Sequence, residues 1–223
     1  MLQVNQLIGF GVGSGGAVPT MRGTPTAVVN GTSPRTIAHT VDAANRNCLI
    51  VRICFQKTNT GHSVTGVTWN GTALTQAAGS VMSSGNSYGA YVWYLINPAV
   101  GSFNVVVTYS ATPNACYMRC ENWQDVNPIA PIGGTAVDAQ PASALLTANV
   151  TKTKSLSLIV AAAAWSSSIT SATPGTDVIE EVDTTSSGNI AWLGKNTTNG
   201  NMSATANVSG VGAMAAAELN GDA

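Results

Sequence analysis

The sequence predicts an all-β protein: an antiparallel sandwich built from two matching halves and preceded by an N-terminal arm. Three observations predict it. From residue 26 onward, short runs rich in Val, Ile, Thr and aromatic residues alternate with Gly, Pro, Asn and Ser turn signals. No segment combines helix caps, a 3.6-residue period and helix-forming residues. Finally, Trp93, Asn97 and Gly101 recur at one constant spacing as Trp192, Asn196 and Gly200, which points to an internal repeat.

Only 9% of the 223 residues are charged and the formal net charge is -1, against about 25% charged in an average soluble protein. Hydroxyls and amides must therefore keep the surface wet. With no basic field, a phosphate-tracking nucleic-acid binder and a polybasic membrane patch are both excluded. Mean hydropathy is +0.17, yet no run approaches the roughly 20 apolar residues of a spanning helix. The most apolar stretch, residues 158–165, is far shorter. No cationic leader opens the chain, so synthesis in the cytosol is expected.

Residues 1–25 read as an arm whose apolar contacts are Val4, Leu7, Ile8 and Phe10. Gly11, Gly13 and Gly16 match a dinucleotide fingerprint in spacing only: the two prolines that follow forbid the required helix, and no acidic residue stands where a ribose would be held. No cofactor is expected. Strands follow at 26–30, 35–41 and 47–56. In the last, Leu49, Val51, Ile53 and Phe55 share a core face, and Cys48, Ile50, Arg52 and Cys54 line the other. Residues 64–69 and 73–78 flank Asn70-Gly71, the strongest short hairpin signal. A Ser/Gly-rich loop precedes three runs at 88–96, 102–109 and 115–123, which read as a meander; Phe103, Val105, Val107 and Tyr109 alternate inward in the second. Prolines 128 and 131 suggest a crossover. The second half continues with strands at 143–150, 155–165, 177–182, 189–197, 201–209 and 212–219.

The cysteines form two same-strand pairs, Cys48 with Cys54 and Cys116 with Cys120. Residues four or six apart on one strand are too distant to bridge, so the four read as buried thiols unless an inter-strand bridge forms. The echo sets pseudo-repeats at about 35–126 and 143–221, with CLIVRICF aligned on SLIVAAAA. Each half alone offers few large apolar residues, so a single sandwich over 26–223, each half burying the other's inner face, is the favourable arrangement.

The series VTWNGTALT (67–75), VWYLINPAVGSFNVVV (92–107), WQDVNPI (123–129) and AMAAAEL (213–219) resembles a family of β-sandwich domains in bacteriophage tail and virion proteins and bacterial surface proteins. The resemblance implies a jelly-roll or lectin-like fold over about residues 30–220, a structural or adhesive role, and no shared catalytic motif.

Catalytic constellations are weak. His39 lies on a strand and His62 in a loop, and no nucleophile elbow accompanies them. Glu121 with Asp125, and Glu180, Glu181 and Asp183, read as strand-end and exposed-strand carboxylates rather than acid–base or metal sets. No enzyme is expected. Trp93 and Trp192 read as core. Trp69 with Asn70, and Trp123 with Asp125, stand at strand ends and are the candidate glycan contacts. The functional expectation is a phage virion structural protein, a capsid decoration or cement subunit, localised to the virion. Its partners would be other virion proteins and copies of itself, a trimer being a common form. The alternative is a tail-fibre or surface adhesin module that binds host glycans.

Overall fold

The computed structural model describes residues 16–29, 33–166, 171–186 and 189–221. Val4, Leu7, Ile8 and Phe10 lie outside them. Every regular element among the described residues is a strand: β1 (Thr20–Val29), β2 (Arg35–Val41), β3 (Cys48–Thr58), β4 (Val64–Trp69), β5 (Thr72–Ala73), β6 (Thr75–Ser84), β7 (Asn86–Ile96), β8 (Gly101–Tyr109), β9 (Ala115–Gln124), β10 (Ile132–Asn149), β11 (Ser157–Trp165), β12 (Ala172–Pro174), β13 (Ile179–Ser186), β14 (Asn189–Asn196) and β15 (Asn201–Asn220). The all-β antiparallel expectation holds. β1 starts inside the stretch read as arm.

Two sheets carry the first half, in the orders β1-β9-β3-β7-β6 and β2-β8-β4-β5; a third, β10-β15-β11-β14-β13 with β12 beside β15, carries the second. The expected meander of β7, β8 and β9 does not form. β8 pairs with β2 and β4, while β7 and β9 both flank β3 in the other sheet. Burial explains the split: β9 is buried along nearly its whole length, as an inner strand must be, whereas β8 is buried on one face only. Asn70 and Gly71 have φ of 46° and 80° and join β4 to β5 in the expected tight turn. Gly85, at φ 73°, closes another hairpin where the Ser/Gly-rich loop was expected.

Three hydrophobic cores stack through the molecule. One, with Leu49, Val51, Ile53, Val105 and Val107, fills the space between the first half's two sheets. Another, with Ile159, Ala163, Trp165, Trp192, Met202 and Met214, lies within the second half. It is enclosed because β10 and β15 are irregular near Ser143 and Gly210 and carry their far ends, with β12, over β11 and β14. Between the halves sits the third, where Cys48, Ile50, Val92 and Trp123 meet Leu158, Val160, Leu193 and Ala217. The halves bury one another, but through their outer faces; each also has an interior of its own. Alanines suit the joint, because short side chains let two flat sheets approach closely. Both faces of β3 and of β11 are consequently dry.

Candidate functional site

β2 and β8 pair with Ala38 opposite Asn104, His39 opposite Phe103 and Thr40 opposite Ser102. Strand alternation leaves Ala38, Thr40, Ser102 and Asn104 in solvent and turns His39 inward, where it is 3% exposed. β1 crosses beside this edge and loses register between Arg22 and Thr26, with Gly23 at φ 63°. That irregularity brings Thr24 and Thr26 alongside His39. Two adjoining depressions result, sharing Ala38 and Ser102. One, of about 330 Å³, is lined also by Thr24, Thr26, His39, Thr40 and Asp42. The other, of about 440 Å³, is lined by Asn70, Gly71, Phe103, Asn104 and Val106.

The Thr26 hydroxyl is 2.8 Å from His39 Nδ1, and Nε2 has no partner among the described residues. Burial pushes the His39 pKa down, partly offset by Asp42, so the ring is neutral at pH 7. Thr40 and Ser102 hydroxyls meet at 2.6 Å across the strand pair. Among the described residues no lysine or arginine lines either depression. The groove therefore offers hydroxyls, amides, one carboxylate, a neutral imidazole and the half-buried Phe103 ring.

Neither tryptophan proposed to contact glycan has a face to offer. Trp69 is fully buried, donates its indole N–H to the Ala99 carbonyl at 3.1 Å, and packs edge-on against Phe103 and His39 at 5.5 and 6.1 Å. Its place is beneath the groove. Trp123 is 2% exposed, lines the core between the halves, and donates to Glu121 Oε2 at 3.2 Å. The reason is common to both: the polar residues beside each indole mark strand ends, but the ring itself leaves on the apolar face. Asn70 is exposed and does line the groove. Asp125, at φ 61°, instead donates its backbone N–H to Asn45 O at 3.1 Å and is not part of it.

A second polar centre is hidden between the halves. Arg52, on β3, is fully buried; it donates to the backbone carbonyls of Ala161 at 3.2 Å and Gly194 at 3.1 Å, and pairs with Glu121 and with Glu181 at 2.5 Å. Arg119 reaches Glu121 at 2.7 Å, and Lys195 reaches Glu181 at 3.5 Å. The expectation of an exposed Glu181 is overturned by a β-bulge: the β13–β14 ladder shifts between Glu180 and Val182, turning Glu181 toward Arg52. Glu180 instead accepts from the Trp192 indole at 2.9 Å. Burial would raise the Glu181 pKa, but Arg52, Lys195 and Arg119 hold it low. Sequence reasoning missed this cluster, although a lone arginine inside CLIVRICF was its signal, since a buried charge requires a partner.

Glu218 is also fully buried. Its carboxylate accepts from the backbone N–H groups of Gly134, Thr153 and Lys154 and from the Thr153 and Ser157 hydroxyls, at 2.6–3.0 Å. All four cysteines are buried and none is in a disulfide. Burial pushes Cys54 up to about 12 and raises Cys48 and Cys120 too, which makes poor nucleophiles of them. No cluster of three or more metal-ligating side chains occurs among the described residues. Compared with family models, with curated proteins and with solved structures, the chain matches none.

Proposed function

We propose that the protein is a bacteriophage virion structural subunit, a capsid decoration or cement protein that attaches through its N-terminal arm and assembles as a homo-oligomer. One observation carries this reading. Among the described residues the densest ionic chemistry, Arg52 with Glu121 and Glu181, is enclosed where it joins one half to the other, and the solvent-facing strand positions carry mainly hydroxyls, amides and small apolar groups. Such a body suits a passive building block. The halves support a repeat reading as well: β1-β9-β3-β7-β6 and β10-β15-β11-β14-β13 follow the same chain order, and β2-β8-β4 is matched by the far ends of β10 and β15 with β12. This order supports reading the chain as two jelly-roll-like units, each with the fifth of its eight strands carried to the opposite sheet.

The test is decoration. Purified particles from the source culture, stripped of this protein, should rebind the intact chain and fail to rebind a folded variant lacking residues 1–15. Equal rebinding by the truncated chain removes the arm, and no rebinding by the intact chain removes the virion role. A second reading, a tail-fibre or surface adhesin, is favoured by the polar groove over β2 and β8.

A further inference from the structure

We propose that the groove across β1, β2 and β8 is a binding site for a short neutral oligosaccharide. The proposal deepens the adhesive reading and stands apart from the decoration reading. Sugars present hydroxyls that both donate and accept, with apolar C–H faces between them. The groove answers with the same two kinds of surface. Thr24, Thr40 and Ser102 contribute hydroxyls that can serve in either role, and Asn70 and Asn104 contribute amides when their side chains face the cavity. Ala38, Val106 and Phe103 form the apolar part, and Phe103 is held in place by the buried Trp69 ring behind it.

His39 is the observation that points beyond a polar surface. Its ring lines the smaller depression, is 3% exposed, is oriented through Nδ1 by Thr26, and leaves Nε2 unmatched among the described residues. A buried nitrogen without a partner is uncommon, and a ligand hydroxyl reaching the depression's floor would satisfy it. Charge selects the class of sugar. Among the described residues Asp42 is the lone charged side chain in either lining, so phosphorylated, sulfated and uronic sugars meet repulsion there with no lining lysine or arginine to offset it. Length follows from shape: the depressions adjoin at Ala38 and Ser102, and each falls within the range of small-molecule sites, about 300–1,000 Å³. The hydroxyl pair of Thr40 and Ser102 stands where they meet, placed to contact adjacent sugar units.

The experiment titrates the intact chain, labelled at threonine methyls, with maltotriose, cellotriose and chitotriose, and with a heparin tetrasaccharide as the anionic control. The same protein is applied to an array of neutral and acidic oligosaccharides. At least one neutral probe is expected to shift Thr24, Thr26 and Thr40 saturably, and Ser102→Trp, which fills the junction from the solvent side, should weaken that binding about tenfold or more with an unchanged melting temperature. The proposal is overturned by silence of every neutral sugar, by preference for the anionic ones, or by undiminished binding in Ser102→Trp. Binding in solution without retention on bacterial cells upholds the site and counts against the adhesive role alone.

Discussion

A carboxylate removed from water keeps its charge only if the fold replaces the water, and Glu218 shows how completely that is done here. Burial alone would raise its pKa; the Ser157 hydroxyl and the amides of Gly134, Thr153 and Lys154 outweigh it and bring the group down to about 2, against 4.5 for a free glutamate. Because the folded value lies below the unfolded one, the stabilisation is fully present above about pH 4.5 and is lost as pH falls toward 2. Urea unfolding at pH 7, 4 and 2 should show this loss in the wild type and its absence in Glu218→Gln; parallel pH profiles for the two proteins would refute the assignment. Nothing in the sequence distinguishes Glu218 from a solvated strand glutamate, since its partners on β10, on the β10–β11 connection and at the start of β11 are all far away in the chain. Arg52 carried more of a signal, since it interrupts an apolar strand, but nothing in the sequence says which carboxylates answer it, and the cluster went unread.

At the level of elements, alternation located strands well and assigned sheets poorly. β8 shows its period plainly because one face is wet, and the Asn70-Gly71 turn fixed the β4–β5 register. β7 and β9 are buried on both faces, so their sequences carry no period to say which neighbour they pair with. The same loss of period misled the repeat alignment. CLIVRICF on SLIVAAAA equates Val51 with Val160, yet the ladders place Val51 opposite Trp93 and Ala163 opposite Trp192. If the tryptophans correspond, Val51 matches Ala163; the LIV likeness reflects shared composition rather than shared position. β7 also holds Gly89, whose absent side chain is occupied by the Phe55 ring. That ring cannot retreat, being packed between Tyr91 at 6.1 Å and Tyr109 at 5.7 Å. Gly89→Val should therefore destabilise by about 1–3 kcal/mol through overpacking, read as a lower urea midpoint with unchanged slope. A neutral result would show that the ring has room to move.

Across the whole molecule, the question is whether two sandwiches with separate interiors unfold as one body. The joint decides it. Cys48, Ile50, Val92 and Trp123 would be stranded in water if the halves parted, and with them Arg52 and Glu121. Coupling of that kind makes the intact chain unfold in a single transition, despite three cores. Arg52→Ala removes the side chain that bonds across the joint to Ala161, Gly194 and Glu181, and it leaves Glu121 buried with less compensation. Breaking a buried pair costs about 3–5 kcal/mol, and here the loss falls chiefly on the interface rather than on either interior. Calorimetry should thus show one endotherm for the wild type and two for Arg52→Ala, with the alanine-rich second half melting first because its core contains smaller side chains. Two endotherms already present in the wild type would mean that the halves are independent domains merely in contact. A single endotherm, lowered but undivided, in the variant would mean that the apolar joint alone enforces cooperativity.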